Sequence, residues 1–386
     1  MVLPTPPKPP RARDPFRVML VDDSAVIRGL FTRTLETDSE IEIVASVADG
    51  QAAVTTLAKD KGRIEVIVLD IEMSRMDGLT ALPKLIDVDP DVAVVMASTL
   101  TERNADISFK ALRLGAKDYV AKPTSTRELS GADVFKRELT ERVRTFGAAR
   151  RRKLGQALPS KARFSADRRE REAVKPAPAL AAVPSQLRPA GNRSPKVIAI
   201  GSSTGGPQAL FKLLQGLPKT QKLPIVLTQH MPPTFTRILA EHITRSTGWD
   251  CLEVTDGTPV VPGRVHLAPG DHHMRVTGDA AAPILRLDQG PPENFCRPSV
   301  DPMLRSVIDV WGGNALAVIL TGMGHDGQKG CEALVAAGGT VIAQDEPTSV
   351  VWGMPGAVAR AGLCTAILPL GDIAGWIETR TMRWAA

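Results

Sequence analysis

The chain has 386 residues, of which 43% are hydrophobic, and at roughly 100 to 200 residues per domain this length predicts two or three domains with buried cores. No stretch reaches the ~20 consecutive apolar residues of a membrane helix, and the proline-rich tail, residues 1–15, lacks the apolar centre of a secretory signal, so we expect a cytoplasmic protein without membrane insertion. The four cysteines include no C-x-x-C pair, which argues against a disulfide framework or a thiolate zinc site. The net charge of +6 is too unevenly distributed along the chain to indicate specific nucleic-acid binding.

Residues 16–146 alternate strand-like and helix-like segments, a pattern that predicts a doubly wound α/β domain with a parallel sheet and helices on both faces. Ser24 follows the first strand and suits the N-cap of the next helix. Ligands of such sheets bind at the carboxyl ends of the strands, so the residues there are candidates for a functional site. The predicted strands are residues 17–21, 41–47, 64–69, 92–97 and 118–120.

Polar residues end or follow four of these strands and would meet at one edge of the sheet. They are three carboxylates, a hydroxyl and an ammonium group: Asp22, Asp23, Asp70, Ser98 and Lys122. The carboxylates offer the hard oxygen ligands that Mg²⁺ prefers, and Asp70 can attack phosphorus while the positive charges and Ser98 neutralise the phosphoryl oxygens. Taken singly, the first two aspartates would be helix caps and Lys122 a surface charge. Their joint placement at four strand ends favours a phosphorylation site.

Four segments of this domain, VMLVDDS, VIVLDIEMSRMDGL, VMASTLT and LGAKDYVAKP, resemble the receiver domain of two-component response regulators, which has a flavodoxin-like fold. The resemblance implies that a histidine kinase phosphorylates Asp70. It implies that Mg²⁺ is held by Asp22, Asp23, Asp70 and the backbone of Glu72. The residues that respond to the phosphoryl group would be Ser98, Tyr119 and Lys122. This chain departs from the family at Ser74, where proline is usual.

A basic segment separates the two halves of the chain. Residues 147–195 contain twelve Lys or Arg against three Asp or Glu, with one aromatic residue and no sustained apolar period. This composition predicts a solvated, flexible linker at residues 147–193 rather than a folded nucleic-acid-binding face. The second domain is then residues 194–386.

The second domain is again alternating, which predicts a second doubly wound, Rossmann-like α/β unit. Residues 265–287 contain short alternating runs around PGDHH and predict an antiparallel insertion. All six histidines lie in this domain, but His272 and His273 are adjacent and would point to opposite faces of a strand, which argues against a catalytic metal. The predicted parallel strands are residues 197–200, 225–228, 315–320, 340–343 and 365–368.

The segment KVIAIGSSTGG, residues 196–206, reads as a strand that breaks into a G-x-S-x-G turn before a helix. Such a turn needs glycine on both sides and exposes the central hydroxyl, which is Ser203 and not Ser202. A serine nucleophile needs a base and a carboxylate that orients the base. The strand PIVLTQ runs into His230, and Asp326 lies in the glycine-rich loop TGMGHDG after another apolar strand. His325 is a rival base, and Asp326 alone would suit a helix N-cap.

Five segments of this domain, IAIGSSTGGP, TQHMPPTFT, LAPGDHHM, RPSVD and ILTGMGHDG, resemble the catalytic domain of the chemotaxis protein-glutamate methylesterases. The resemblance implies that Ser203 is the nucleophile, His230 the base, Asp326 the orienting carboxylate and the Met323 backbone an oxyanion donor. Departures from the family are Ser202, His325, Cys296 and the proline-rich tail.

The function that this resemblance implies is hydrolysis of glutamyl methyl esters on methyl-accepting chemoreceptors, with release of methanol and without a cofactor for the ester chemistry. It also implies deamidation of receptor glutamines and activation when the kinase of the chemotaxis system phosphorylates the receiver.

Two alternatives come from other classes of protein. The GSSTGG turn could cradle a nucleotide phosphate, although a dinucleotide fold favours an acidic residue at the end of the second strand, where this chain has Gln229 and His230. A DNA-binding output domain would need a helix-turn-helix pattern or a basic folded face, and neither is present in the sequence.

Overall fold

The computed structural model describes residues 14–99, 101–122, 129–159, 187–191 and 193–385. The chain divides into two compact units, residues 1–177 and 178–386. This division falls inside the predicted linker, most of which, residues 160–186, lies outside the described residues together with residues 1–13 of the predicted tail. Among the described helices, none combines the length and the apolar composition that crossing a membrane requires.

The first unit is a five-stranded parallel sheet in the order β2-β1-β3-β4-β5, which is the flavodoxin-like order. Strands β3 and β4 are buried along their whole length. The predicted doubly wound parallel fold is confirmed. The elements are β1 (Phe16–Val21), α1 (Ala25–Leu35), β2 (Ile41–Val47), α2 (Gly50–Lys59), β3 (Val66–Asp70), α3 (Gly78–Val88), β4 (Ala93–Ser98), α4 (Glu102–Arg113), β5 (Asp118–Ala121) and α5 (Leu129–Lys153).

Side-chain caps fix where the first four helices begin. Ser24, Asp49, Asp77 and Thr101 each accept a hydrogen bond from a backbone N–H in the first turn of α1, α2, α3 and α4. Each cap satisfies one of the donors that a helix N-terminus leaves unpaired. The sequence prediction for Ser24 agrees with this cap.

The end of α5 differs from the prediction of a linker that begins at residue 147. The helix continues to Lys153, and Arg151 is fully buried with its guanidinium 2.5 and 2.8 Å from the two carboxylate oxygens of Glu65. Arg150 is also buried and donates to Asp89 across 2.8 Å. The prediction of a flexible linker is therefore wrong for residues 147–153, which are helical, and the prediction of solvation is wrong for Arg150 and Arg151, which neutralise buried carboxylates of the first domain.

The second unit contains a seven-stranded parallel sheet in the order β15-β14-β13-β6-β7-β10-β8 and a three-stranded antiparallel sheet in the order β11-β12-β9. The strands are β6 (Val197–Ser202), β7 (Ile225–Gln229), β8 (Cys251–Glu253), β9 (Thr258–Pro259), β10 (Val265–Leu267), β11 (His273–Thr277), β12 (Ile284–Asp288), β13 (Ala315–Ile319), β14 (Thr340–Gln344) and β15 (Ala366–Leu368). The helices are α6 (Gly206–Gly216), α7 (Pro233–Thr247), α8 (Val300–Trp311), α9 (Gln328–Ala336), α10 (Met354–Arg360) and α11 (Leu370–Ala385).

The ten strands predicted for the two parallel sheets are present, each within two residues of its predicted bounds. The predicted antiparallel insertion is correct for β11 and β12, but β10 pairs in parallel with β7 and β8 and belongs to the main sheet. The buried His266 gives this strand the alternating pattern of a half-exposed antiparallel strand. His266 lies at its centre with Nδ1 3.1 Å from the oxygen of Ile225 and Nε2 accepting from the N–H of Val261, so both ring nitrogens are satisfied inside the sheet.

Helix α8 links the two sheets of the second unit. Its residues Val300, Met303, Leu304 and Val307 are fully buried in one core that includes side chains of β6 and β13 from the main sheet and of β11 from the smaller sheet. This packing fixes the position of the N-terminus of α8, which begins beside the candidate catalytic residues.

Candidate functional sites

Three carboxylates meet at the carboxyl edge of the first sheet. Asp70 is the last residue of β3 and Asp22 follows β1, and both are buried, whereas Asp23 is exposed. One oxygen from each lies within 4.8 Å of the others. Lys122, which follows β5, places its Nζ 2.6 Å from Asp70 Oδ1 and 2.7 Å from Asp22 Oδ2. The structure therefore brings together the acidic residues and the lysine that the sequence predicts.

Burial raises the pKa of Asp70, and the Lys122 ammonium and the backbone N–H of Ile71 oppose that rise only in part. Asp22 Oδ2 is buried and within ion-pair distance of the lysine, but it receives no well-aligned hydrogen bond from a described residue. Hard carboxylate oxygens, one of them with unused acceptor capacity, suit a divalent cation such as Mg²⁺. The donor set at this edge therefore fits the predicted metal.

The other predicted residues of this edge occupy different environments. Ser98 ends β4 and is buried, with its hydroxyl donating to the oxygen of Thr99 at 3.0 Å. Tyr119 lies within β5 and is buried, and burial raises its pKa well above the ordinary value. The carboxylate of Glu72 does not belong to the group formed by Asp22, Asp23 and Asp70, so the backbone of this residue stays the candidate ligand.

Gly78 is a residue of this site that the sequence prediction missed. Its N–H donates to the oxygen of Ile71 at 2.9 Å, and a Cβ on Gly78 would lie 2.0 Å from the oxygen of Asp70. Any side chain would therefore push apart the loop after the phosphoacceptor candidate and the start of α3. The glycine in the segment SRMDGL was the available signal.

Ser203 lies at the turn between β6 and α6. Its backbone N–H donates to the carbonyl oxygen of Thr321 at 3.1 Å, and its backbone carbonyl oxygen accepts from Gly206 N–H at 2.7 Å. Gly205 has φ +75°, and a Cβ there would lie 2.5 Å from the Val350 side chain. The predicted requirement for glycine after the serine thus has a measurable cause in backbone conformation and in packing.

The two adjacent serines differ in environment. Ser202 is fully buried and donates to Gln229 Oε1 at 2.7 Å, whereas Ser203 is half-buried. Gln229 Nε2 donates in turn to the backbone carbonyl oxygen of Ser203 at 2.9 Å. Ser202 therefore supports the turn, and Ser203 offers the accessible hydroxyl.

His230 and Asp326 form a close pair in which His230 Nε2 lies 2.8 Å from Asp326 Oδ2. Burial lowers the pKa of His230, but the nearby Cys296 and Asp326 outweigh burial and raise it well above the ordinary value. Burial alone would raise the pKa of Asp326, yet the His230 contact and the surrounding donors lower it. An ionised carboxylate can only accept, so Nε2 carries the proton and Nδ1 is the basic nitrogen.

His230 lies next to the serine turn, because its N–H donates to the oxygen of Ser202 at 3.1 Å. In the part of the chain that the structure describes, the hydroxyl of Ser203 makes no hydrogen bond to the His230 ring. Such contacts commonly tighten only when substrate binds. The rival base, His325, is exposed, and it is His230 that pairs with Asp326.

Asp326 is held by more donors than the sequence revealed. Ser299 Oγ donates to its Oδ1 at 2.7 Å and the N–H of Val300 to its Oδ2 at 2.6 Å, both from the start of α8. Asn294 Nδ2 also reaches Oδ1 at 2.9 Å and bridges to Asp301 at the same distance. Ser299 belongs to the RPSVD segment, but nothing local to Asn294 indicated its contact with Asp326.

The glycine-rich loop before Asp326 packs against the serine turn. A Cβ on Gly322 would lie 2.9 Å from Ser203 Cβ and 3.1 Å from Ser203 N. Glycine at this position therefore lets the backbone of the following residue, Met323, come near the serine, as an oxyanion donor must. The loop that carries the predicted oxyanion donor and the turn that carries Ser203 are therefore in direct contact.

We expect Asp326→Ala to lower the free energy of unfolding of the second unit by about 3 to 5 kcal/mol, because it leaves several buried donors unpaired. The folded-state pKa of Asp326 is lowered, so this stabilisation is present above the ordinary aspartate pKa of about 3.9 and is lost as pH falls through the folded-state value. Urea denaturation at several pH values measures it. Asp250→Ala is the control, since Asp250 forms an exposed ion pair with Arg264 worth less than about 1 kcal/mol. Equal effects of the two variants would contradict the prediction.

Comparison with known proteins gives matches over both units. Residues 198–377 match the CheB methylesterase family, and residues 18–132 match the response regulator receiver domain family. The protein-glutamate methylesterase/protein-glutamine glutaminase of group 2 operon from Rhodospirillum centenum is 56% identical over 98% of this chain and 97% of its own length. Proteins named protein-glutamate methylesterase/protein-glutamine glutaminase in Azospirillum brasilense and, as number 1, in Rhodospirillum rubrum are 57% and 55% identical, covering 96% and 94% of this chain and 94% of each relative.

Proposed function

The chain belongs to the CheB methylesterase family, with a receiver domain ahead of the catalytic domain, and we propose that Ser203, His230 and Asp326 carry out its chemistry. The protein is a protein-glutamate methylesterase and protein-glutamine glutaminase whose hydrolytic domain is controlled through phosphorylation of its receiver. The observation that best supports the proposed residues is the 2.8 Å pair of His230 and Asp326 beside the Ser203 turn.

In the first half of the reaction, Ser203 Oγ attacks the γ-carbonyl carbon of a glutamyl methyl ester while His230 Nδ1 takes the hydroxyl proton. The negative charge that develops on the carbonyl oxygen is stabilised by backbone N–H groups, among which we place that of Met323. Breaking the carbon–oxygen bond releases methanol, which receives the proton from His230, and leaves a glutamyl ester on Ser203.

Water completes the cycle. His230 Nδ1 removes a proton from the water that attacks the acyl-enzyme, and the proton then passes to Ser203 Oγ as the glutamate side chain leaves. Asp326 stabilises the imidazolium in both halves of the reaction. A glutamine side chain passes through a similar tetrahedral state with ammonia as the leaving group, which accounts for the glutaminase activity.

At the receiver, Asp70 would be the phosphoacceptor and the chemotaxis histidine kinase the phosphodonor. Asp22, Asp23, Asp70 and the backbone of Glu72 would hold Mg²⁺, which when bound supplies positive charge against the phosphoryl oxygens. Lys122 neutralises a phosphoryl oxygen, and Ser98 and Tyr119 adjust to the new charge. The substrates would be the methylated helices of chemoreceptors in the cytoplasm, and the protein's role would be adaptation after a stimulus.

The direct test is methanol release from methylated receptor membranes, measured with and without a small phosphodonor such as acetyl phosphate. Release should require the protein and should rise when the phosphodonor and Mg²⁺ are both present. If no methanol is released from receptors that carry methyl esters, the proposed substrate is wrong.

The pH dependence of kcat/KM should show an acidic limb above the ordinary histidine pKa of about 6.5. Burial lowers the pKa of His230, but the Asp326 carboxylate 2.8 Å from Nε2 stabilises the imidazolium and helps to raise the pKa above its ordinary value, so the ring becomes a base only at higher pH. A limb at the ordinary histidine value would contradict this.

A further inference from the structure

A tight turn at residues 293–296 lies beside the catalytic pair. The N–H of Cys296 donates to the oxygen of Glu293 at 2.8 Å, and the reverse hydrogen bond measures 3.1 Å. The two central residues, Asn294 and Phe295, have φ of 51° and 63°. Positive φ at both positions is the pattern of a type I′ turn, in which the second position is ordinarily glycine.

Phenylalanine is an unfavourable residue for this position. A bulky side chain in the left-handed region is strained, because its Cβ crowds the backbone. Hydrophobic packing does not explain the strain, since Phe295 is 77% exposed, the highest value among the large hydrophobic residues that the structure describes. Strained backbone that does not serve the core is found preferentially at functional sites.

The contacts of the turn place this exposed ring close to the reaction. Asn294 Nδ2 donates to Asp326 Oδ1 at 2.9 Å, and Asp326 Oδ2 lies 2.8 Å from His230 Nε2. The ion pair of Glu293 with Arg305 ties the start of the turn to α8. Phe295 thus directly follows a residue that contacts the catalytic pair, while its ring remains mostly in solvent.

We propose that Phe295 is a substrate-recognition residue, which packs against an apolar side chain of the receptor helix next to the methylated glutamate. This inference rests on the proposed function, in which the substrate is a folded protein. A glutamyl methyl ester is small and occurs on few side chains, so selection of the correct ester requires contacts outside the reacting group. A rigid aromatic ring offers a large apolar contact area with only two rotatable bonds, as aromatic residues do at protein interfaces.

The test compares Phe295→Ala with Phe295→Gly in steady-state methanol release from methylated receptor membranes. Both variants remove the ring, but only glycine also relieves the left-handed strain. Both should raise KM by about tenfold or more and leave kcat within about threefold, while only the glycine variant should have a higher Tm than the wild type. Leu252→Ala, which truncates a 39% exposed leucine of β8, is the matched control and should leave KM unchanged.

A second measurement separates this inference from the catalytic assignment. Binding to methylated receptor membranes is measured by co-sedimentation in a Ser203→Ala background, with Phe295 intact or changed to glycine. Weaker binding of the double variant supports the inference even if the esterase assay fails. Unchanged KM and unchanged binding would overturn it, as would a fall in kcat at constant KM, because the turn would then act only by positioning Asp326.

Discussion

Ser203→Ala should reduce methanol release by several orders of magnitude, on the order of 10⁴- to 10⁶-fold in kcat, while Ser202→Ala should retain activity to within about tenfold. The two serines are adjacent, so the comparison holds the local sequence constant and changes only which hydroxyl is lost. Ser203 is the accessible one, whereas Ser202 is fully buried with its hydroxyl on Gln229.

The weaker effect expected for Ser202→Ala follows from what remains after the change. Gln229 Nε2 still donates to the backbone carbonyl oxygens of Ser203 and His230, at 2.9 and 3.1 Å. The serine turn therefore stays linked to the backbone at His230. Only Gln229 Oε1 loses its hydrogen-bond donor, the Ser202 hydroxyl. Because Gln229 is buried, this loss costs about 1 to 3 kcal/mol of stability.

Initial rates of methanol release from receptor membranes decide the matter, with circular dichroism as the check that both variants are folded. A Ser203→Ala protein that releases methanol at the wild-type rate would contradict the hydrolase mechanism. If only Ser202→Ala loses activity, Ser202 is the nucleophile and the assignment of Ser203 is wrong.

The sequence predicted the sheets well because their strands carry their own signals. Each central strand is a short apolar run between polar turns, and the segments that connect parallel strands have helical spacing. Strand β10 was assigned to the antiparallel insertion because its middle residue, His266, makes the strand alternate as if it were half exposed. The burial of His266 depends on partners in β7 and in the loop after β9. A polar residue whose hydrogen bonds are satisfied by distant segments looks exposed in the sequence.

The same reason explains the error at the end of the first domain. Arg150 and Arg151 sit in a run of four basic residues, which by composition resembles a solvated linker. Their partners, Asp89 and Glu65, are 61 and 86 residues away in the chain. Composition within a window cannot show that these charges are paired in the interior.

The proposed catalytic residues could be picked out from the sequence because each follows a strand and carries a local motif. Ser203 lies in a glycine-flanked turn, His230 ends an apolar run, and Asp326 lies in a glycine-rich loop. The residues that hold Asp326 in place were not evident, since Asn294 and Ser299 approach it from another part of the chain. Position at the end of a strand can be predicted locally, but orientation by donors from other elements requires the fold.

Asp70→Asn should abolish phosphoryl labelling of the protein by acetyl phosphate in the presence of Mg²⁺, and should leave methanol release at the unphosphorylated rate whether or not the phosphodonor is added. The carboxylate of Asp70 is the nucleophile in this proposal, and the amide that replaces it cannot attack phosphorus. Asparagine has nearly the same shape, so the contacts with Ile71 N–H and with the packed Gly78 backbone remain possible.

Asp91→Asn is the matched control for that change. It makes the same substitution at a carboxylate that precedes β4, at the opposite edge of the sheet, where Asp91 pairs with Lys153. Labelling and activation should be normal in this variant. Removal of Mg²⁺ with a chelator should stop labelling of the wild type without changing its unphosphorylated rate of methanol release.

Undiminished labelling of Asp70→Asn would show that another residue accepts the phosphoryl group. If instead labelling is lost but methanol release still rises with the phosphodonor, the activation must act through a route other than the receiver, because the only proposed link between the phosphodonor and the Ser203 site is the charge placed on Asp70.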